Sequence, residues 1–454
     1  MKKILMTVVF VAVATATLAQ GNVHERSEVY QWPQDSLVVA KLKQWQQLKF
    51  GVLIHWGLYA VPGIVESWSI CDEDWITRDS TMTYDDYMRW YFGLADQFCP
   101  TQFDPAQWAG ACRDAGMRYM IFTTKHHDGF CLWDSHQTDF TVARHAFAGD
   151  ARRDVLSHVL NAFRQQHFTV GTYFSKPDWH SQLYWWDVYG KKGRNVNYPV
   201  GQHPERWQQF CRYTHRQVEE LMSGYGPVDI LWLDGGWVYP DNRGQDIDMP
   251  GLARMARSHQ PGLIIVDRTI HGPYENYQTP ERTVPDTLLS YPWESCIPLS
   301  DDWGYVPRPR WKSAQRVIGT LIEVVAKGGN LVLGVGPTPE GLLQPEVTSR
   351  LHEIGQWLQK YGEAIYGTVP TPHYHDGDVW FTAAPDGSRL YAIYRHEEGR
   401  PMPTQISWTG HRPRRAVRLL STGRRLRYTT QAGGVVTVSL PKGLPAESVA
   451  VAVE

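Results

Sequence analysis

From Leu37 to Tyr366 the chain alternates short, nearly continuous apolar runs with stretches in which apolar residues recur every three or four positions. The apolar runs predict strands over residues 50–55, 118–124, 169–175, 229–234, 263–268, 288–294 and 330–335. Between them the helical spacing is clearest where Trp207, Cys211, Thr214, Val218 and Leu221 share one face and Gly224 closes the helix. Asp104-Pro105 opens another helix and Gly116 ends it. Strands apolar on both faces and separated by helices are parallel strands covered on each side. Seven or eight such units fit a (β/α)8-like barrel. A doubly wound open sheet is the alternative, but no Gly-rich dinucleotide fingerprint follows the first strand.

The pattern changes at Gly367-Thr368-Val369-Pro370-Thr371-Pro372, a Pro-rich hinge. Beyond it, residues 379–383, 390–394, 416–420 and 435–440 form short β-branched runs separated by turns such as Asp386-Gly387 and Gly433-Gly434. The expected organisation is a catalytic barrel over 20–366 and a C-terminal all-β sandwich over 367–454, whose Trp380 and Trp408 serve as core or as sugar platforms. Residues 1–19 combine Lys2 and Lys3, an apolar run from Ile4 to Val13 and a small-residue end at Ala19. That is a secretory signal pattern, so export to the periplasm or the medium after cleavage near Ala19 is expected. No later run is long enough to span a membrane.

Composition removes several classes of partner. Lys plus Arg number 45 against 47 Asp plus Glu, for a net charge of −2. There is thus no basic surplus to neutralise phosphates of nucleic acid or of an anionic membrane. The six cysteines form no C-x-x-C pair, which argues against a zinc knuckle or a redox motif. The 20 Trp and 23 Tyr are more telling, since such rings stack on sugar faces as well as filling cores.

In a barrel the reactive groups stand at the C-terminal ends of the strands. Those ends carry Ile54-His55-Trp56-Gly57, Lys125-His126-His127-Asp128-Gly129-Phe130, Tyr173, Trp232-Leu233-Asp234-Gly235-Gly236, Asp267-Arg268 and Trp293-Glu294-Ser295-Cys296. Asp234 is in phase with Trp232 and Ile230, and the two glycines after it leave its front open to a ligand. Trp293 offers the apolar wall that raises a carboxyl into general-acid range at Glu294. Two carboxylates on separate strand ends of one pocket are what glycoside hydrolysis requires. A phosphate cradle of the type G-x-x-x-x-G-K-[ST] is absent. Metal ligation by His126, His127 and Asp128 is the weaker reading, because adjacent side chains on an extended strand point to opposite faces. Imidazoles that donate to and accept from sugar hydroxyls fit better.

Taken together with Trp303-Gly304-Tyr305, these motifs resemble the α-L-fucosidases of glycoside hydrolase family 29, in the family's order, over about residues 40–366. The resemblance implies a barrel followed by a β-sandwich, exo-acting release of terminal α-L-fucose from fucosylated glycans, net retention and no cofactor. By position, Asp234 is similar to the family's nucleophile, and His55, His126 and His127 to the imidazoles that hold fucose hydroxyls. Tyr173 and Arg268 match further pocket residues, and Trp303 an aromatic beside the sugar methyl. Glu66 and Trp68 resemble a Glu-Trp element that Ser67 here interrupts. Glu294 is the favoured acid/base, with Glu66 and Glu281 as competitors. In the retaining reading the two carboxyls lie roughly 5–5.5 Å apart. A glycosidase for another sugar, such as an α-galactoside, or a fucose-binding lectin on an inactive barrel are the rival functions.

Overall fold

A computed structural model describes residues 30–190 and 192–454; residues 1–19, expected to be a signal segment, lie outside the described residues. Seven parallel strands form one curled sheet: β1 Phe50–Ile54, β2 Tyr119–Lys125, β3 Thr169–Ser175, β4 Ile230–Asp234, β5 Ile264–Asp267, β6 Glu294–Pro298 and β7 Asn330–Val335. Their order is β5-β4-β3-β2-β1-β7-β6, every pair parallel. The predicted helix signals work as read: Asp104 accepts hydrogen bonds from Ala106 N and Gln107 N, with Pro105 in the first turn. The helix Pro204–Gly224 buries Trp207, Thr214, Val218 and Leu221 as its spacing requires.

The ladder ends at β5 and β6, and an irregular segment fills the place of an eighth strand between them. Glu275 bridges to Val266 of β5, Gln278 to Trp293, and Glu281 to Cys296 of β6. Asn276 N donates to Ile265 O at 2.9 Å, and Cys296 N to Pro280 O at 3.2 Å. The barrel is therefore closed by isolated bridges along 275–281.

The sixth strand departs from expectation. Residues 288–294 read as a strand, yet the ladder begins only at Glu294, which pairs with Asn330, the first residue of β7. Pro285 and Pro292 lack backbone donors and keep the preceding run out of the sheet. Glu294 thus stands at the N-terminal end of its strand, deep in the barrel, and the expectation that it faces the mouth is corrected. Its side chain is fully buried. Tyr119 OH donates to its Oε2 at 2.7 Å, while Trp232 and Tyr277 lie close by. Desolvation, only partly offset by these neighbours, pushes the carboxyl up to about 8. Below this layer Trp45 stacks on Tyr277 with ring centroids 4.0 Å apart and plugs the barrel bottom.

The C-terminal part consists of two antiparallel sheets. The larger contains Val369–Asp376, Val379–Ala383, Leu390–Tyr394, Val449–Val453, Val417–Leu419 and Arg425–Leu426; the smaller contains Gln405–Trp408, Val436–Ser439 and Tyr428–Thr430. The Pro-rich run expected as a hinge lies within the edge strand Val369–Asp376, where proline's missing donor is tolerated. Phe381 and Trp408 meet edge to face at 6.2 Å between the sheets, and Trp380 and Trp408 are core rather than platforms. Trp357 Nε1 donates to Ser448 O at 2.7 Å and ties the sheets to the last barrel helix.

Two outcomes are expected from the barrel interior. A Cβ at Gly51 would lie 2.5 Å from the Tyr119 ring, so Gly51→Ala should lower stability by about 1–3 kcal/mol in a denaturant titration. Glu294 has a folded value above its ordinary 4.5, so the stability tied to its proton is complete below about 4.5 and lost as pH rises to about 8. Relative to wild type, Glu294→Gln should therefore gain stability between pH 5 and 8, at up to about 1.4 kcal/mol per pH unit. Parallel Tm profiles for the two proteins would contradict this.

Candidate active site

The C-terminal strand ends converge on a hollow of about 370 Å³ lined by His55, Glu66, Trp68, His126, His127, Tyr173, Asp234, Arg268, Glu281 and Trp303, among others. Of the predicted site residues, Glu294 alone is not on its wall. His55 follows β1, His126 follows β2, Asp234 ends β4 and Arg268 follows β5. Tyr173 lies inside β3, in register with Trp232, and its ring stacks on that indole at 5.2 Å.

Asp234 sits at the centre. Tyr173 OH donates to its Oδ2 at 2.6 Å, Gly235 N to its Oδ1 at 2.8 Å, and Arg268 Nη1 to the same Oδ1 at 3.1 Å. Burial alone would raise this carboxyl. The Arg268 guanidinium and the hydrogen bonds from Tyr173 and Gly235 outweigh burial and hold it well below the usual carboxylate range. Arg268 is itself 6% exposed, and its second terminal nitrogen, Nη2, donates to Glu281 Oε2. One guanidinium therefore spans two carboxylates. Glu281 Oε1 also accepts from Trp303 Nε1 at 3.2 Å.

The guanidinium is aimed by a strained turn. Thr269 and His271 hold φ of 62° and 57°, unusual for a β-branched residue in particular. Glu275 secures both by accepting from Thr269 N at 2.8 Å and His271 N at 3.0 Å. The Gly235-Gly236 pair serves this packing rather than only ligand access. A Cβ at Gly235 would strike Pro177 at 2.4 Å, and one at Gly236 would strike Thr269 Oγ1 at 1.8 Å.

Adjacent histidines both reach the hollow because β2 carries a register shift between Thr123 and Lys125 and ends before His126. Their rings are 4.2 Å apart. Ser175 donates its single proton to Pro177 O at 2.9 Å, so the 2.6 Å contact from His127 Nδ1 makes that nitrogen the donor. His127 Nε2, 3.9 Å from Asp234 Oδ2, is left as an acceptor toward the hollow. Burial lowers His126 to about 4 and holds His55 and His127 well below 6.5, which keeps all three rings neutral near pH 7. His55 Nδ1 is buried without a hydrogen-bond partner. Asp128 points elsewhere, accepting from Tyr91 OH at 2.7 Å, and among the described residues no group of three or more His, Cys, Asp or Glu is placed to hold a metal.

The inserted Ser67 is absorbed in a short turn over Ser67–Ile70, where its hydroxyl meets His126 Nδ1, so Glu66 and Trp68 both still face the hollow. Glu66, which burial pushes above its ordinary value, accepts from Trp303 N at 2.8 Å and Gly304 N at 2.9 Å and so fixes the Trp303 loop. Trp303 stacks on His55 at 5.2 Å. Sequence reading missed Trp75, Arg194, Trp237, Thr269 and Arg282 on the wall. Trp237 directly after the glycine pair, Thr269 after Asp267-Arg268 and Arg282 after Glu281 stand beside residues the sequence singles out; Trp75 and Arg194 do not.

This geometry supplies one ionised carboxylate with open access, a second carboxyl beside it, and neutral imidazoles for hydroxyl groups. Comparison with known proteins agrees. The family model described as Alpha-L-fucosidase matches residues 17–363. The tissue alpha-L-fucosidase of Macaca fascicularis is 30% identical over 390 residues, covering 80% of this chain and 77% of its own. The human tissue enzyme is 29% identical over 391 residues, 80% and 78%. The solved structure of alpha-L-fucosidase isoenzyme 1 from Paenibacillus thiaminolyticus superposes with a TM-score of 0.75 at 28% identity, covering 92% of this chain and 99% of that one. The Thermotoga maritima alpha-fucosidase in complex with a mechanism-based inhibitor gives 0.73 at 28% identity, with 93% and 100% covered. By the family model, its relatives and its fold, the chain belongs to the alpha-L-fucosidase family.

Proposed function

We propose that the protein is an exo-acting, retaining α-L-fucosidase that removes terminal α-L-fucose from glycans by two displacements, with Asp234 as nucleophile and Glu281 as acid/base. The observation that carries the reading is the Arg268 guanidinium held between these two carboxylates in a pocket walled by neutral imidazoles. Family membership supports the sugar, and the Thermotoga maritima relative's complex with a mechanism-based inhibitor supports chemistry through an enzyme-bound intermediate. The Lys2 to Val13 start supports export, which puts the proposed activity in the periplasm or outside the cell.

In the first displacement Asp234 attacks the anomeric carbon and the bond to the aglycone oxygen breaks, while Glu281 gives that oxygen its proton. In the second, Glu281 takes a proton from water, whose oxygen attacks the same carbon and expels Asp234. Charge is conserved around Arg268 throughout. Before attack the partner anion is Asp234; in the ester it is Glu281. His55, His126 and His127 bind hydroxyl groups and stay neutral, so Arg268 remains the cation that the migrating negative charge meets.

Glu66 is the weaker alternative for acid/base, since both contacts at its Oε1 are backbone amides that fix it in place. Glu294 is weaker still, because its side chain is fully buried, bonded to Tyr119, and off the wall of the hollow.

Asp234→Ala is expected to reduce turnover of an aryl α-L-fucoside by about 10³-fold or more while leaving Tm within a few degrees. Wild-type activity in that variant removes the nucleophile assignment. Glu281→Ala should lose most on substrates with poor leaving groups and regain rate with azide, whereas Glu294→Gln should stay within a few-fold of wild type. The reverse pattern would return the acid/base role to Glu294. Product anomers followed by NMR should show α-L-fucose first, and an aryl α-galactoside should be cleaved far more slowly.

A further inference from the structure

The hollow is closed below by buried residues, Leu53, Tyr173 and Trp232, and flanked by the three buried imidazoles. Whatever is attached to a sugar held against Asp234 must leave through the mouth. Trp75 stands there. It lines the same hollow yet is 54% exposed, the one large hydrophobic residue exposed to this degree on the wall among the described residues.

Aromatic contacts lead outward from the reacting centre to this ring. His127, beside Asp234, packs edge-on against Trp68 at 5.1 Å, and Trp68 packs against Trp75 at 5.3 Å. The Trp75 loop is clamped from both sides. Glu73 accepts from Arg194 Nε and Nη2, each at 2.9 Å, and Asp72 N donates to Lys192 O at 2.9 Å. Arg78 Nη1 donates to Cys71 O at 2.8 Å, and the Arg194 guanidinium lies 5.3 Å from the Trp68 ring centre. An indole held rigidly but left open to water at a pocket mouth is preorganised for a flat apolar partner. The hollow's 370 Å³ falls in the range of pockets that hold ligands larger than one deoxyhexose.

We propose that Trp75 is the platform of an acceptor-side subsite, stacking on the apolar C–H face of the neutral pyranose to which the terminal sugar is linked. This rests on the α-L-fucosidase reading and deepens it: the substrates are oligosaccharides chosen in part by their second ring.

The test compares α-L-fucosyl fluoride, which has no second ring, with fucosyl disaccharides carrying galactose or N-acetylglucosamine. The wild type, Trp75→Ala and Trp75→Phe are each assayed for kcat/KM. Trp75→Ala is expected to lose about tenfold more on the disaccharides than on the fluoride, chiefly through KM, and Trp75→Phe to recover most of that difference. The fluoride rate reports folding and the glycone site within the same variant. Equal loss on both substrates, or no loss on the disaccharides, overturns the subsite. A wild type active on the fluoride with such results leaves the fucosidase reading standing; a wild type inactive on fluoride and disaccharides alike removes both.

Discussion

A single cation shared by two carboxylates is the constraint on which the site depends. Arg268 reaches Asp234 with one terminal nitrogen and Glu281 with the other, and the three side chains are only 8%, 14% and 18% exposed. In such surroundings an unmatched charge is far more costly than in solution. Arg282 Nε adds a partly exposed cation 3.7 Å from Glu281 Oε1, whereas Asp234 relies on Arg268. In the proposed double displacement the negative charge passes from Asp234 to Glu281 and back, and Arg268 reaches both stations. Neutral imidazoles are part of this arrangement: a protonated His127, 3.9 Å from Asp234, would add a second cation. Burial prevents that by holding the ring well below 6.5.

The position of the guanidinium is in turn a product of how the barrel closes. Between β5 and β6 the chain runs as a bridged segment rather than a full strand. Its start supplies Glu275, which holds the left-handed Thr269 and His271; its middle supplies Thr279, whose hydroxyl accepts from Arg268 Nε at 3.2 Å; its end supplies Glu281. A regular strand would keep these three side chains on one face but, at about 3.3 Å per residue, spread them over about 20 Å. The irregular course allows three polar side chains, from residues six or fewer apart, to converge on one turn and one guanidinium. Strain of this sort persists where surrounding contacts over-determine it, as the two oxygens of Glu275 do here.

That same irregularity explains what could be read from the chain and what could not. The barrel strands at 169–175 and 330–335 agree residue for residue with their apolar runs, because both faces are buried and the pattern is unambiguous. His55, Asp234 and Arg268 were legible for the same reason: each sits where such a run stops. Glu294 is hidden by its neighbours: Leu288 and Leu289 imitate a strand that Pro292 interrupts, so the pattern puts at a strand's end a residue that begins β6. Glu281 has no apolar run around it. Nothing in residues 275–281 signals a strand, since its bridges come from neighbours fixed by the rest of the barrel. The His126 and His127 pair shows the reverse case, in which a register shift in β2 brings together side chains that a regular strand would separate.

The tryptophans divide along a related line. Trp45 and Trp232 are buried by the barrel itself, and their places follow from helix and strand periodicity. Trp68, Trp75 and Trp237 owe theirs to loops clasped by one ion pair, Arg194 with Glu73, formed between segments 121 positions apart. The first group fixes the depth of the hollow and makes its floor dry, which strengthens every charge contact above it. The second fixes the width of the mouth. Since the inner layer is set by strand ends and by the bridged segment that closes the barrel, and the outer by loops, the reacting groups can stay in place while the mouth changes. Recognition of the outer ring of a glycan is thus physically separable from the chemistry on the inner one.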